Sequence, residues 1–150
     1  MPMRENPIVA LIYDFDKTLS PRDMQEYSFI PGINMRAEDF WAECRRFALK
    51  HNTDGVLAYM YMMQHKSRGA MQLTRQTLMK LGAQIEFFPG VEGWFERVRA
   101  MGAAMGVRVE HYIISSGLKE IIEGSRYRRY VLFGVRQPFS RRWDLYGTKR

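Results

Sequence analysis

The sequence predicts an α/β fold that combines a small parallel sheet with an inserted helical segment. An apolar run at 8–13 ends in two acids, and a second one at 107–115 ends in small polar residues. Between these runs, apolar side chains recur at helical spacing. Short continuous apolar runs are typical of strands in parallel sheets, and their alternation with helices is typical of βαβ units. We therefore expect a doubly wound core whose first strand is buried on both faces.

The composition is that of a folded protein with one hydrophobic core. The chain has 150 residues, of which 46% are hydrophobic, a length and content that suit a single small domain with an appended subdomain. Cys44 is the one cysteine, so no internal disulfide can form and a reducing, cytoplasmic location is expected. Neither a signal peptide nor a membrane span is predicted, so we expect no membrane partner.

Two acids follow the first predicted strand directly. Asp14 and Asp16 fall at its carboxyl end, and Pro21 marks the loop that follows. In open parallel sheets, ligands bind outside the carboxyl ends of the strands. Two neighbouring carboxylates favour a divalent cation with oxygen ligands, so we predict Mg²⁺ bound by Asp14 and Asp16. A carboxylate at this position can also act as a nucleophile and form an aspartyl-phosphate.

The segment 22–85 is predicted to be helical. Apolar residues from Ala37 to Ala48 follow the spacing of an amphipathic helix, and Asp54 is a good N-cap for a helix that runs through Met63. A third helix is predicted over 69–81, with Gly82 at its end. We assign 22–85 to a separate helical unit, and 1–21 together with 86–150 to the core.

The second predicted strand leads into a helix through two serines. A helix is predicted from Val91 to Met101, and the strand 107–115 follows. Helical spacing resumes at Leu118, which places Ser115 and Ser116 at a strand-to-helix junction. Backbone N–H groups at a helix start, together with a serine hydroxyl, are suited to binding an anion.

These motifs match a known pattern. Asp14-Phe15-Asp16-Lys17-Thr18 resembles motif I, D-x-D-x-T, of the haloacid dehalogenase (HAD) superfamily, and Ser115 with Ser116-Gly117 resembles motif II. The helical segment is placed like the C1 cap of the phosphoserine-phosphatase-like branch. The resemblance covers about residues 7–124. It implies a HAD-like Rossmannoid three-layer core (1–21 and 86–150) with an incomplete parallel sheet, and an inserted helical cap (22–85).

The resemblance also implies a role for each matching residue. Asp14 would be the nucleophile, and Asp16 the general acid and base. Thr18, Ser115 and Ser116 would support or bind the phosphate. Asp14 and the backbone carbonyl of Asp16 would hold Mg²⁺. The implied function is magnesium-dependent hydrolysis of a small phosphorylated metabolite.

Two parts of the family pattern are missing. Motif III is a lysine, and motif IV is an acidic pair that completes the magnesium site. Beyond Ser116 the acids are Glu120, Glu123 and Asp144, and none of them follows an apolar strand in a Gly-Asp-rich loop. We therefore expect weak or absent turnover. The alternative is a catalytically incomplete binding module. A sheet this small also predicts an exposed edge, through which two copies could pair as a homodimer.

The last 26 residues differ in charge from the rest. Residues 125–150 carry eight Lys and Arg against one acid, whereas residues 1–124 carry fifteen of each sign. Three interpretations stay open: the out-of-frame end of a truncated HAD gene product, a native basic extension, or an ordinary solvated surface around a strand at 130–135. In the binding-module alternative, this basic tail contacts an anionic partner. Specific nucleic-acid binding is not expected.

Overall fold

The computed structural model describes residues 6–127 with their side chains and the backbone of residues 131–135. The fold is mixed α/β, and its parallel sheet has the strand order β1-β2-β3, which confirms the predicted class at that level. In chain order, the elements are β1 (Ile8–Tyr13), a 3-10 turn (Met24–Glu26), α1 (Phe29–Gly32), α2 (Ala37–His51), α3 (Gly55–Lys66), α4 (Arg75–Gly82), α5 (Val91–Ala104), β2 (Arg108–Leu118), α6 (Lys119–Gly124) and β3 (Val131–Val135).

The pairing of β1 with β2 brings the two predicted site segments to one edge of the sheet. The register runs from Ile8 opposite Arg108 to Tyr13 opposite Ile113. Asp14 is the residue after Tyr13, and Ser115 lies two residues after Ile113. Because the strands are parallel, both site segments lie at the carboxyl edge.

One face of β1 and β2 is covered by α5. The Phe95 ring contacts Tyr13 and His111 edge-on. The Tyr13 hydroxyl donates to His111 Nδ1 at 3.0 Å and accepts from Trp94 Nε1 at 2.9 Å. His111 Nε2 donates to the carbonyl of Phe95 at 3.0 Å. These bonds hold the helix against both strands.

The other face of these strands is open. The side chains of Ile8, Ile12 and Ile114 are 52%, 61% and 43% exposed. The prediction that the first strand is buried on both faces is therefore wrong, for a topological reason. The strand order advances in one direction, and right-handed crossovers then place both connecting helices on the same face. Among the described residues, no helix is left for the second face.

Each predicted helix is present, with one start displaced, whereas α1 and the 3-10 turn were not predicted. α2 covers the predicted 37–48, and Asp54 Oδ1 caps α3 by accepting from the N–H of Val56 at 2.7 Å. α4 begins at Arg75 rather than at residue 69, because Thr74 Oγ1 caps it by accepting from the N–H of Thr77 at 3.1 Å. None of the helices in the described part of the chain combines the length and hydropathy needed to cross a bilayer.

The helical segment and the sheet share one core. Buried side chains from both form a continuous cluster that includes Phe15, Met24, Phe40, Phe95 and Ile121. α4 packs closely on α6: a Cβ on Gly82 would lie 1.9 Å from the carbonyl oxygen of Ile121, so only glycine fits. α4 thus touches the helix that follows β2, although it lies within 22–85. The division into a core and a cap stays a prediction.

Candidate active site

The loop after β1 turns tightly around the carbonyl of Phe15. This carbonyl accepts from the N–H groups of Thr18, Leu19 and Ser20 at 3.3, 2.9 and 3.2 Å. Lys17 takes the left-handed backbone conformation that the turn requires, with φ of 60°. The Phe15 side chain is fully buried in the core. On either side of Phe15, Asp14 is exposed and Asp16 is part-buried.

Asp14 lies at the mouth of this turn. Its side chain is exposed, and its Oδ2 accepts from the Thr18 hydroxyl at 3.3 Å. The bond joins the two ends of the turn and limits the rotation of the carboxylate. The loop-supporting contact implied for Thr18 by the motif is therefore present, and the carboxylate stays open to an incoming group.

Asp16 lies deeper than Asp14. Its Oδ1 accepts from the backbone N–H of Met24 at 2.7 Å. Burial raises the pKa of Asp16 to about 7, and the negative charges of Asp23 and Asp14 add to the rise. The hydrogen bond from Met24 acts in the opposite direction. Near neutral pH, both the protonated and the ionised form of Asp16 are therefore populated, so the group can either donate or accept a proton.

Met24 connects this loop to the end of β2. Its sulfur accepts from the backbone N–H of Leu118 at 3.2 Å. A Cβ on Gly117 would lie 2.1 Å from Met24 Cε, so the fit at this point depends on glycine. Met24 therefore binds Asp16 through its backbone N–H, and its side chain contacts Gly117 and Leu118 at the end of β2.

The two serines lie within the last part of β2. The strand continues to Leu118, so Ser115 and Ser116 precede the helix start by several residues. Ser115 is buried, and its Oγ accepts from the N–H of Gly117 at 3.0 Å. The N–H groups of Gly117 and Leu118 thus have partners within the protein. The hydroxyl proton of Ser115 is still able to donate to an anion, because a serine oxygen that accepts keeps its own proton.

Tyr59 brings helix α3 over the same edge. Its hydroxyl donates to the carbonyl oxygen of Ser116 at 2.8 Å. Burial raises the pKa of Tyr59, and the charge of Asp16 raises it further, which places the ring near that carboxylate. Neither Tyr59 nor Met24 was predicted as a site residue. Methionine and tyrosine recur throughout the segment, and a backbone N–H is carried by almost every residue, so no pattern distinguishes these two.

A cleft lies between the loop and helix α2. It has a volume of about 500 Å³, and the Trp41 indole N–H donates to Glu26 on its wall at 2.7 Å. Lys17 is held at its rim by Asp23 at 2.6 Å. The cleft is lined by residues of the loop, the 3-10 turn and α2: Lys17, Asp23, Glu26, Ala37, Glu38, Trp41 and Arg45. Asp14 and Asp16 are not among these lining residues.

A larger cavity of about 950 Å³ lies between α4 and α6. Arg75, Lys80 and Glu123 are among its lining residues, and no predicted site residue is. We place the candidate site at the aspartates in spite of this difference in size. A site is assigned by the chemistry of its groups, and here the carboxylates and the serine hydroxyl are all at the carboxyl edge.

Asp14 and Asp16 have the type of ligand atom that suits Mg²⁺, but two residues are few for a metal site. Asp14 and Asp16 supply carboxylate oxygens, the ligands that Mg²⁺ prefers, and the ion usually keeps several waters beside one or two carboxylates. Among residues 6–127 and 131–135, no group of three or more His, Cys, Asp or Glu side chains is arranged to hold a metal. Two acids alone would leave most ligand positions of such an ion to water.

Comparison with known proteins gives one informative relative. The chain is 31% identical over 142 residues to a protein of Borreliella burgdorferi (strain ATCC 35210 / DSM 4680 / CIP 102532 / B31) that is named only "Uncharacterized protein". The match covers 87% of this chain and 49% of the relative, so the chain spans about half the length of the curated protein that it matches. No family model and no solved structure matches the sequence.

Proposed function

We propose that this chain is a HAD-type phosphohydrolase with a C1-like helical cap, which acts with Mg²⁺ on a small phosphorylated metabolite. One observation carries the proposal: Asp14 and Asp16 follow a parallel strand directly, and each is held by a separate hydrogen bond, from Thr18 and Met24. An exposed carboxylate beside a part-buried one with a raised pKa supports a division between nucleophile and proton carrier.

In the first step, Asp14 attacks the phosphorus of the substrate. An Oδ–P bond forms as the bond from phosphorus to the leaving oxygen breaks. Asp16 gives its proton to that oxygen, so the product leaves as a neutral alcohol. Ser115 is placed to donate its hydroxyl proton to a phosphoryl oxygen. When bound, Mg²⁺ would be held by Asp14 and the Asp16 backbone carbonyl, and it would offset the charge between carboxylate and phosphate.

In the second step, Asp16 acts as a base. It takes a proton from a water molecule, and the resulting hydroxide attacks the phosphorus of the aspartyl-phosphate. The Oδ–P bond breaks, inorganic phosphate leaves, and the Asp14 carboxylate is regenerated. Turnover by the chain as given is expected to be weak, because the described residues supply two acids and no third for the metal.

The test is the magnesium-dependent hydrolysis of 4-nitrophenyl phosphate. Asp14→Asn should abolish the activity of the chain, because an amide is a poor nucleophile. Asp39→Asn is the matched control: Asp39 is an exposed acid on α2 that pairs with Arg36, and the same chemical change there should leave the rate unaltered. Equal rates for Asp14→Asn and the unaltered chain would rule out Asp14 as the nucleophile.

A second candidate function is an interaction module without turnover. It is favoured by the lack of a third metal-ligating acid in the described part of the chain and by the excess positive charge of residues 125–150. Residues 128–130 and 136–150 lie outside the described residues. This candidate predicts binding to an anionic partner that weakens with salt, survives Asp14→Asn and is lost when residues 125–150 are removed.

A further inference from the structure

We propose that Lys17 and Asp23 are a positioning pair that keeps the backbone N–H of Met24 directed at Asp16. The pair joins the outgoing and the returning part of the site loop, the segment 14–24 that carries both candidate catalytic acids. Its consequence for catalysis rests on the proposed function, whereas its consequence for the geometry of Met24 does not. The two can therefore be tested separately.

Two neighbouring contacts cross the site loop. Lys17 Nζ donates to Asp23 Oδ2 at 2.6 Å, and the N–H of Met24 donates to Asp16 Oδ1 at 2.7 Å. Asp16 and Lys17 are consecutive residues, and so are Asp23 and Met24. Because one planar peptide group joins Asp23 to Met24, a restraint on Asp23 also limits the direction in which the Met24 N–H can point. The ion pair thus supports the hydrogen bond beside it.

The backbone of Lys17 indicates that its side chain has a role. Its φ of 60° lies in the left-handed region, which is unfavourable for a residue with a Cβ. Glycine would make the same turn without this cost. Conformations of this kind concentrate at functional sites, where the surrounding contacts maintain them. For the Lys17 side chain, the contact that the structure shows is the one with Asp23.

The side chain of Asp23 does not bind its usual local partner. Asp23 lies at the N-cap of the 3-10 turn Met24–Glu26, a position where an aspartate commonly accepts from a backbone N–H of the first turn. Its carboxylate makes no such bond and accepts from Lys17 instead. The Asp23 side chain is 21% exposed, so less water competes for it than at a fully exposed pair. Both partners thus depart from their locally favoured arrangement when they make this contact.

Loss of the pair should alter the loop and leave the fold intact. The Met24 sulfur is bound at the end of β2 by the N–H of Leu118, and that contact does not involve Lys17. The Lys17 side chain is 66% exposed, so its removal opens no cavity in the core. A substitution at this position therefore separates the direction of the Met24 N–H from global stability.

The first measurement is the hydrogen exchange of the Met24 amide, followed by NMR in the full chain. In Lys17→Gln, which removes the charge, this amide should exchange at least fivefold faster. Lys17→Arg keeps the charge and should keep most of the protection. Lys50→Gln is the matched control, because Lys50 is an exposed lysine on α2, and it should leave the exchange of Met24 unchanged. Circular dichroism checks that all three variants fold.

The second measurement is the hydrolysis of two phosphate esters in the presence of Mg²⁺. Phenol is a poorer leaving group than 4-nitrophenol, so the first step with phenyl phosphate depends more on a proton from Asp16. Lys17→Gln should therefore lower kcat/KM at least fivefold for phenyl phosphate and less than twofold for 4-nitrophenyl phosphate. A general loss of structure would lower both values equally.

The positioning pair is overturned if the Met24 amide of Lys17→Gln exchanges as slowly as that of the unaltered chain, or if Lys17→Arg loses as much protection as Lys17→Gln. Equal losses for the two esters would overturn its part in catalysis. Failure of the proposed function has a different signature. Asp14→Asn would then hydrolyse both esters as fast as the unaltered chain, while the exchange of Met24 would still decide the pair.

Discussion

The backbone N–H of Met24 donates a 2.7 Å hydrogen bond to Asp16, although the Met24 side chain is anchored at the far end of β2. Its sulfur accepts from Leu118, and its methyl group fills the space above Gly117. Met24 thus connects the end of β2 to Asp16, the part-buried acid after β1. The geometry of Asp16 therefore depends on packing at Gly117, and this dependence can be tested.

Gly117→Ala should destabilise the protein and disturb the site. The new methyl group would lie 2.1 Å from Met24 Cε and 2.8 Å from Met24 Sδ, so the Met24 side chain must move. Overpacking of this kind costs about 1–3 kcal/mol, measurable by urea unfolding. Gly55→Ala is the control, since a Cβ at Gly55 meets nothing within 4 Å, and it should leave stability unchanged or slightly raised. An equal response of the two variants would contradict the contact.

Stability should fall as the pH rises through the range in which Asp16 titrates. The folded protein keeps the Asp16 proton up to a pKa of about 7, whereas the unfolded chain releases it near 3.8. Between these values, unfolding releases one proton, so the free energy of unfolding from this group decreases by up to about 1.4 kcal/mol per pH unit. The measurement is urea unfolding from pH 4 to 8 in magnesium-free buffer.

Asp16→Asn is the comparison for this titration. Asparagine does not ionise in this range. The free energy of unfolding of the unaltered chain should therefore fall, relative to that of the variant, as the pH rises from 4 to 8. A difference that is constant from pH 4 to 8 would show that the pKa of Asp16 is not raised. Asp39→Asn, at an exposed site, controls for the general effect of removing an acid.

Tyr59→Phe should loosen the contact between α3 and the end of β2. The substitution removes the hydroxyl that donates to Ser116 and leaves that carbonyl oxygen without this partner. The expected loss is about 1 kcal/mol in the free energy of unfolding. Tyr61→Phe, on the same helix, is the control, because Tyr61 is half-exposed and stacks on Phe47 through its ring. The prediction fails if both variants are as stable as the unaltered chain.

Glu120→Leu should stabilise the fold. Glu120 is buried on α6, and its Oε2 has no hydrogen-bond partner among the described residues. A buried polar atom without a partner costs about 1–3 kcal/mol, and leucine removes this cost at similar volume. Thermal and urea unfolding should both show the gain. Glu96→Leu, an exposed glutamate on α5, should change stability by less than about 0.5 kcal/mol. A loss of stability in Glu120→Leu would indicate that this carboxylate binds a group outside the described residues.

The reading frames of the gene past codon 124 test the origin of the basic tail. If residues 125–150 are out of frame, another frame should encode a lysine followed by a Gly-Asp-rich acidic motif. That result would identify the tail as an artefact of truncation and the parent protein as a complete phosphohydrolase. Three frames without such a motif would instead favour a native extension. Sequencing the gene and its transcript gives the answer.

Elements with a strong local signal were predicted well. α2 has a clear apolar stripe, and the cap of α3 is a single side chain two residues from its partner, so both could be identified from nearby residues. The start of α4 was predicted at residue 69, whereas the helix begins at Arg75 after its cap, Thr74. The end of β2 was also placed too early, since its last residues pair with β3, which is distant in sequence.

The sequence by itself determined the α/β class, the order of strands and helices, and the position of Asp14, Asp16 and Thr18 after the first strand. Each of these follows from residue types within a few positions of one another. Only the tertiary structure decided that Met24 and Tyr59 hold the site and that one face of the sheet is open. Met24 and Leu118 are 94 positions apart, and a contact over that distance depends on how the strands and helices cross, which no local pattern encodes.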